Sequence, residues 1–335
     1  MTNKPITKRA GKVAYVIVSW NNKDLLDDCI QSIVDQDYTN KSIILVDNNS
    51  ADDTVEYIRK NYPEVQVIAE PVNHAFAKGN NIGIKEALLD PEVSYIMMLN
   101  SDARLDANWT STMVAAAERR PKAATLQSVT LDYYNHSIID STHIYISHLG
   151  HATQGSFRNS IALETDVAPY KVFGCNAAAM LITRGFIEAQ PFDDLFDETM
   201  FMYLEDVDLA ARATVMGWDN YIIPGTRAYH MGSVSSKKKD PSFSMFMTFR
   251  NNTGLMVKNL PNKLLWRILF VMPRADRASI LHLRRLGKHK AVKALIKGRI
   301  TGLRYIPIFM FKRRKLKPYV VIDEEYLWQL MQKGF

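Results

Sequence analysis

The sequence predicts an α/β protein in which helices flank a mostly parallel central sheet. Short apolar runs alternate with helical patterns, and polar clusters follow the runs. Within each run the residues are continuously apolar, which is typical of strands covered on both faces by crossover helices. With 335 residues, of which 47% are hydrophobic and 23% charged, the chain has an ordinary globular composition. This composition excludes a disordered chain, a collagen and a small disulfide scaffold.

The elements are predicted in order along the chain. A strand at Lys12–Ser19 precedes a helix that ends near Val34, a second strand (42–46) and a helix at Thr54–Asn61. A strand at Val65–Ala69, a helix ending at Leu88 and a fourth strand (95–99) follow. The pattern weakens from about 125 to 170. Beyond it we expect a buried strand over 172–183, a helix within 201–216 and a segment that ends in His230.

Polar clusters end three of the predicted strands. They are Trp20-Asn21-Asn22, Asp47-Asn48-Asn49 and Asn100-Ser101-Asp102. One such cluster alone is typical of an ordinary turn. Three in successive units predict a ligand site, because open α/β sheets bind ligands at the carboxyl ends of their strands.

The net charge of +7 is unevenly distributed. Residues 258–317 hold 18 lysines and arginines against the single acid Asp276, a net charge of +17, whereas residues 1–257 carry −8. The sequence therefore predicts an acidic body joined to a strongly basic C-terminal region.

Compartment signals are few. The two cysteines, Cys29 and Cys175, lie in apolar sequence and predict buried thiols in a reducing compartment. The polar N-terminus lacks the apolar core of a secretory signal, and no apolar run reaches the ~20 residues that span a bilayer. We expect a cytoplasmic protein without a transmembrane anchor.

Seven ordered motifs resemble the family 2 glycosyltransferases of the GT-A fold, in particular the bacterial branch of rhamnosyl- and galactofuranosyltransferases. They are VIVSWNN (16–22), VDNNSADDT (46–54), NHAFAKGNNIGI (73–84), LNSDA (99–103), FGCNAAAMLI (173–182), FMYLEDVDLAAR (201–212) and His230. The resemblance implies a GT-A domain over 13–255, preceded by a polar tail (1–12) and followed by a basic amphipathic helical region (256–335).

The residues that bind the nucleotide-sugar donor are predicted from the resemblance and from the chemistry of the nucleotide. Asp47 matches the family's aspartate that accepts the N3–H of a uracil or thymine ring, a strong hydrogen bond because the acceptor is charged. A capping or turn aspartate is the alternative. The other residues predicted to bind the nucleotide sugar are Ser19, Asn21, Asn80, Asn81, Asn100 and Asp102.

A divalent cation, Mn²⁺ or Mg²⁺, is implied by the family's DXD-type motif. Asp102 occupies its last position, but Asn100 stands where the first aspartate would be. Because a single carboxylate binds a divalent cation weakly, we expect His230 to be a second metal ligand. An imidazole ligand suits Mn²⁺.

Glu205 and Asp206 are the catalytic candidates. Inverting transfer needs a carboxylate to take the proton of the acceptor hydroxyl, and the family's Glu-Asp motif places that base at Asp206 and a sugar-positioning role at Glu205. Acids that stabilise a helix N-terminus are the alternative. By resemblance, Gly174, Asn176 and Arg250 lie on the acceptor side; a tight strand bend and a surface salt bridge are equally compatible with these residues.

The basic region mixes cations with apolar residues at helical spacing, for example Leu281, Leu283 and Leu286. Such a pattern is typical of a helix on an anionic membrane surface. A solvated basic face and a nucleic-acid patch are the alternatives, but no nucleic-acid reader is recognisable. Truncation before Pro261 is predicted to release the protein from anionic liposomes.

Together these features predict a metal-dependent inverting glycosyltransferase on the cytoplasmic face of the membrane. It would move a sugar, by resemblance L-rhamnose from dTDP-rhamnose, to a lipid-linked or cell-surface glycan. One rival is a nucleotidyltransferase that makes nucleotide sugars, although residues 19–22 do not form the Gly-rich phosphate loop that it needs. The other is a non-catalytic binder of carbohydrate or lipid surfaces.

Overall fold

The computed structural model describes residues 11–155, 167–232 and 241–331. Its strands are β1 (Lys12–Ser19), β2 (Lys41–Asp47), β3 (Val65–Ala69), β4 (Val93–Leu99), β5 (Ala103–Leu105), β6 (Ala123–Asp132), β7 (Ile139–Ser141), β8 (His143–Ile146), β9 (Ala152–Gly155), β10 (Tyr170–Val172), β11 (Ala179–Thr183) and β12 (Asp219–His230). The helices before β12 are α1 (Lys23–Val34), α2 (Thr54–Asn61), α3 (Ala75–Leu88), α4 (Trp109–Glu118), α5 (Arg184–Ala189) and α6 (Glu205–Val215).

A mixed sheet forms the centre of the protein, with the strand order β10-β12-β6-β11-β4-β1-β2-β3. Strands β3, β2, β1 and β4 are parallel, as the apolar runs predict. Strand β11 is antiparallel to both of its neighbours, β4 and β6. The carboxyl ends of β1, β2 and β4 therefore meet at one edge, and β11 begins beside the end of β4.

Two details differ from the sequence prediction. The predicted strand over 172–183 is two strands, because the chain leaves the sheet edge after Val172 and re-enters between β4 and β6 at Ala179. The weakly patterned stretch contains β6, a ten-residue strand in the middle of the sheet.

The C-terminal region is helical, as predicted. It comprises α7 (Pro241–Asn259), α8 (Asn262–Arg285), α9 (His289–Arg304), α10 (Ile306–Leu316) and α11 (Glu324–Leu330). The predicted domain boundary at 255/256 lies within α7. Buried Phe309, Leu316 and Leu327 belong to the same apolar core as the sheet residues Val16 and Met98, so these helices pack on the body of the protein.

Four of the 18 cations in the basic region are drawn into the body of the protein by ion pairs or hydrogen bonds to other elements. The Lys258 Nζ lies 2.7 Å from an Asp197 oxygen and 2.6 Å from an Asp208 oxygen, and Lys312 also binds Asp197. Arg299 pairs with Asp276, and Arg313 donates to backbone carbonyls. The other fourteen residues are exposed, among them Arg274, which donates to the Phe270 carbonyl of its own helix, and Arg267, which lies over the Trp328 ring. No helix in the described part of the chain is both long enough and apolar enough to span a membrane.

Candidate active site

The ends of β1 and β2 present two buried polar atoms without a partner in the described structure. Ser19 and Asp47 are neighbours in the β1–β2 register, with 1% and 3% of their surface exposed. The Asp47 Oδ2 accepts a hydrogen bond from the Ser50 backbone N–H at 3.0 Å, but Asp47 Oδ1 and Ser19 Oγ have no partner. Buried polar groups are rarely left unpaired because desolvation is costly. These two atoms therefore form a candidate recognition site for a polar ligand.

Asparagine side chains join the loops around this pair. The Asn21 Oδ1 accepts from the Ala51 N–H at 2.7 Å, and Asn22 Nδ2 donates to Ser101 Oγ at 3.2 Å. Asn21 has φ +53°, a left-handed conformation that asparagine tolerates better than most residues. The predicted donor-binding residue Asn21 thus lies at the site and also ties the first loop to the second.

Asn80 and Asn81, which are predicted to bind the donor, make hydrogen bonds within the protein. Asn80 Nδ2 donates to the Phe76 carbonyl at 2.9 Å, within α3. Asn81 Nδ2 donates to the Phe196 carbonyl at 2.8 Å, and its Oδ1 accepts from the Phe196 N–H at 2.9 Å. With both ends of its amide bound and 1% of its surface exposed, Asn81 connects the chain before α6 to α3, and its donor-binding role stays a prediction.

The candidate metal ligands Asp102 and His230 are adjacent. The Asp102 Oδ1 lies 3.3 Å from the His230 Nε2, and Asn100 Nδ2 lies 3.4 Å from the same nitrogen. The other ring nitrogen, Nδ1, binds Asp140 Oδ2 at 2.8 Å. A carboxylate on Nδ1 fixes the tautomer and leaves Nε2 as the metal-facing atom.

These residues fit a divalent cation as a two-ligand site. No group of three or more metal-ligating side chains converges in the described ranges 11–155, 167–232 and 241–331. A bound ion would therefore need oxygens from a diphosphate. Burial alone would lower the pKa of His230, but the hydrogen bonds to Asp102 and Asp140 raise it to about 10. Without a metal, His230 is thus a cation between two carboxylates.

Two acids begin α6. Burial raises the pKa of Glu205 from 4.5 to about 8, with a contribution from the charge of Asp206. Burial also raises the pKa of Asp206, to about 6, against hydrogen bonds from the backbone N–H groups of Val207 and Ala177. At neutral pH the pair therefore holds a carboxylate at Asp206 beside a carboxylic acid at Glu205. The buried Glu205 Oε2 has no partner in the described structure.

The segment between β10 and β11 connects this acid pair to the end of β4. Ala177 N–H points to Asp206 Oδ2 at 3.5 Å, and the Ala178 carbonyl accepts from the Asn100 N–H at 2.9 Å. The Asn176 N–H donates to Gln127 Oε1 at 2.6 Å. One short chain segment therefore contacts both the predicted base and Asn100, whose side chain lies beside the His230 ring.

Gly174 and Arg250 have structural contacts. A Cβ on Gly174 would collide with the Ala210 side chain of α6, so glycine allows this segment to pack closely on that helix. The Arg250 guanidinium donates to the Thr199 carbonyl at 2.9 Å and lies 4.3 Å from the Tyr305 ring centroid. These bonds are internal, and the acceptor-side role of Arg250 stays a prediction.

Sequence reasoning missed Asp140 and Gln127. Both lie in the weakly patterned stretch, and both act on another site residue by a single hydrogen bond. Neither belongs to a motif, so only the pairing of β6 with β7 and β12 brings them to the site.

Comparisons with known proteins agree with this architecture. The chain is 27% identical over 220 residues to the N-acetylglucosaminyl-diphospho-decaprenol L-rhamnosyltransferase of Mycobacterium tuberculosis, covering 60% of this chain and 69% of the relative. It is 26% identical over 113 residues to the poly-beta-1,6-N-acetyl-D-glucosamine synthase of Staphylococcus epidermidis, covering 33% of this chain and about a quarter of that relative's length.

A solved mannosyltransferase from Pyrobaculum calidifontis, in complex with GDP-Man and Mn²⁺, superposes with a TM-score of 0.54. It is 14% identical, and the match covers 93% of this chain and 86% of that one. This likeness confirms the predicted GT-A fold. The sequence model described as glycosyl transferase family 2 matches residues 15–187, more than half of the chain. The chain belongs to glycosyl transferase family 2.

Proposed function

We propose that the protein is an inverting glycosyltransferase that moves a sugar from a nucleoside diphosphate to a lipid-linked or cell-surface glycan. The proposed donor is dTDP-L-rhamnose, a choice supported by the mycobacterial L-rhamnosyltransferase relative. The observation that carries the proposal is the unpartnered pair Asp47 Oδ1 and Ser19 Oγ. A thymine or uracil ring offers an N3–H donor to the carboxylate, and its carbonyl oxygens can accept from the serine hydroxyl.

Asp206 is proposed as the general base. Its carboxylate takes the proton of the acceptor hydroxyl as that oxygen forms a bond to the anomeric carbon, and the bond from this carbon to the diphosphate breaks. A single in-line displacement inverts the anomeric configuration. The protonated Glu205 can donate a hydrogen bond to a sugar hydroxyl through its unpartnered Oε2.

Asp102 and His230 are proposed to hold Mn²⁺ or Mg²⁺. The ion would supply positive charge against the leaving diphosphate. Asp140 orients the His230 ring, and Asn100 contacts the same nitrogen. The chain's own contribution is therefore to fix the direction in which Nε2 points.

The experiment is a panel of nucleotide sugars with Mn²⁺ or Mg²⁺, read by release of the nucleoside diphosphate upon addition of a polyprenyl-linked acceptor. We expect turnover with dTDP-rhamnose, and loss of turnover in Asp206→Asn while calorimetry shows donor binding unchanged. The control is Asp90→Asn, at the amino end of β4 and paired with Lys12, which should retain activity. Wild-type turnover in Asp206→Asn would remove Asp206 as base. Release of pyrophosphate from a nucleoside triphosphate would instead support the nucleotidyltransferase, and binding without turnover the non-catalytic binder.

The membrane surface is proposed as a partner of the C-terminal helices. Helix α8 exposes Trp266 and Phe270, with 72% and 70% of their surfaces accessible, four residues apart and beside Arg267 and Arg274. Asp276, the single acid in 258–317, is bound by Arg299 and His151. Exposed aromatic side chains flanked by unneutralised cations suit an interface with anionic lipids.

Vesicle flotation tests this surface. We expect the protein to float with vesicles of phosphatidylglycerol and phosphatidylethanolamine but not with phosphatidylcholine alone. The double variant Trp266→Ser/Phe270→Ser should remain in the soluble fraction. The matched control is Leu89→Ser, which alters a side chain that is 75% exposed at the end of α3. Equal flotation of the double variant and the control would contradict the proposal.

A further inference from the structure

The segment that leads into α6 has a strained backbone. Phe201, Tyr203 and Leu204 have φ values of +63°, +70° and +68°, in the left-handed region that side chains other than glycine and asparagine disfavour. Leu204 immediately precedes Glu205 and Asp206, the acid pair of the proposed reaction. Residues in such conformations persist only where surrounding contacts hold them. The contacts that hold this segment therefore determine where the acid pair lies.

Asn251 of α7 supplies most of these contacts with one nitrogen atom. Its Nδ2 lies 2.8 Å from the Met200 carbonyl oxygen, 2.9 Å from that of Met202 and 2.7 Å from that of Tyr203. The residue is 1% exposed. From the other side, the Ala77 N–H of α3 reaches the Phe201 carbonyl at 3.3 Å. The strained segment is thus held between two helices.

Arg250 fixes the direction of the Asn251 amide. Its Nη1 donates to Asn251 Oδ1 at 2.9 Å, so the oxygen faces the guanidinium and the NH₂ group faces the three carbonyls. Arg250 also donates to the Thr199 carbonyl at the start of the same segment. Tyr305, between α9 and α10, lies against this guanidinium.

Close packing of helix α9 supports the arrangement. A Cβ added to Gly302 would lie 2.6 Å from the Arg250 carbonyl oxygen, and one added to Gly298 2.5 Å from that of Phe246. These glycines let the α9 backbone approach α7 closely. The C-terminal helices thereby support Asn251 at the acid pair as well as carrying the exposed basic surface.

From these contacts we infer that Asn251 is a positioning residue for glycosyl transfer, which holds the 200–204 backbone in the conformation that presents Asp206 and Glu205 to the acceptor. The inference rests on the proposed function. The donor side is formed separately by β1, β2 and β4, and Asn251 touches none of these strands in the described structure. Loss of its NH₂ group should therefore reduce kcat and leave donor binding unchanged.

The test compares Asn251→Asp with Asn252→Asp. The aspartate at 251 keeps the side-chain volume and the acceptor for Arg250, but it turns an oxygen toward three carbonyl oxygens. Asn252 is a matched control because it is also buried on α7, accepts from Arg299 at 2.6 Å and donates to a carbonyl, that of Gly150, at 2.8 Å. Each variant is assayed for kcat and for the donor KM, and its folding is checked by circular dichroism and melting temperature.

We expect Asn251→Asp to lower kcat by about tenfold to a hundredfold with the donor KM changed by less than about threefold, the signature of a misplaced catalytic group. Asn252→Asp should keep kcat within about threefold of the wild type. Equal losses of kcat in the two variants, or a raised donor KM with unchanged kcat in Asn251→Asp, would overturn the inference.

If Asn251→Asp does not fold, Arg250→Gln tests whether Asn251 positions the acid pair. It removes the donor that orients the Asn251 amide, so it should lower kcat without weakening donor binding, and an unchanged kcat would overturn the inference. The wild-type protein in the same assay distinguishes failure of the proposed function from failure of the positioning role of Asn251. Absence of wild-type transfer with every donor refutes the proposed function, whereas an active wild type with a fully active Asn251→Asp refutes only the positioning role.

Discussion

Replacement of Glu205 by glutamine should stabilise the folded protein increasingly as the pH rises. The side chain is 7% exposed, and its Oε2 has no partner in the described structure. Burial raises its pKa from 4.5 to about 8. A raised folded-state pKa contributes stability that is fully present below about pH 4.5 and is lost as the pH rises through about 8. Glutamine has nearly the shape of the neutral acid but no proton to lose, so the variant lacks this loss.

The size of the effect follows from linkage. Between pH 5 and pH 8 the unfolded carboxyl is mostly ionised while the folded one remains largely protonated, so wild-type stability falls by about 3 kcal/mol from this group. The difference in unfolding free energy between Glu205→Gln and wild type should therefore increase by about 3 kcal/mol over the same range. This value is large against the 5–15 kcal/mol stability typical of folded domains.

Urea unfolding at pH 5, 6, 7 and 8, followed by circular dichroism, measures this difference. Asp90→Asn serves as the control, because Asp90 is a half-buried partner of Lys12 whose pKa is lowered by that lysine, so its difference should not rise with pH. If the Glu205→Gln difference were flat or fell with increasing pH, Glu205 would not be a buried neutral acid at pH 7. Glu205→Gln should also lower the turnover rate, because residues at functional sites often favour activity at a cost in folding stability.

Three further substitutions test other parts of the structure. Asp102→Ala should abolish the Mn²⁺ dependence of nucleotide binding in calorimetry, and unchanged metal-dependent affinity would exclude Asp102 as a ligand. Lys258→Ala should lower the unfolding free energy by about 3 kcal/mol in urea titrations. It leaves the buried carboxylates of Asp197 and Asp208 without the cation that they share. A loss below about 1 kcal/mol would contradict this account. Gly174→Val should cost at least about 2 kcal/mol, because its side chain would collide with Ala210, and a wild-type melting temperature would show that the segment can move away.

Much of the parallel half of the sheet could be predicted from the sequence. An apolar run followed by a polar cluster and a helix gives both the direction of the strand and the edge at which its polar residues lie. Asp47 and Ser19 therefore become neighbours in the structure as the pattern implies. The apolar run 179–183 passes directly into α5 without a polar cluster, and this pattern did not reveal that β11 is antiparallel to its neighbours.

Contacts between residues far apart in the sequence could not be predicted from the pattern of apolar runs and polar clusters. Asp140 reaches His230 across 90 positions, and Asn251 reaches the Met200 carbonyl across 51. In the sequence Lys258 is one more cation of a basic region, but Asp208 and Asp197, 50 and 61 positions away, bind it in the core. A sequence shows which residues are charged and leaves open which charges are neutralised within the fold.

Truncation before Pro261 should unfold the protein or abolish turnover instead of simply releasing an active enzyme from membranes. The deletion would remove Phe309 and Leu316 from the common core, and each fully buried side chain of this size contributes roughly 1.5–3 kcal/mol. It would also remove Lys312 from Asp197 and Tyr305 from Arg250. Solubility and urea unfolding of the truncated chain measure the effect, beside the full-length Trp266→Ser/Phe270→Ser variant, which leaves these contacts in place. A truncated chain that folds with wild-type stability and transfers sugar at the wild-type rate would show that the C-terminal helices serve only as a surface.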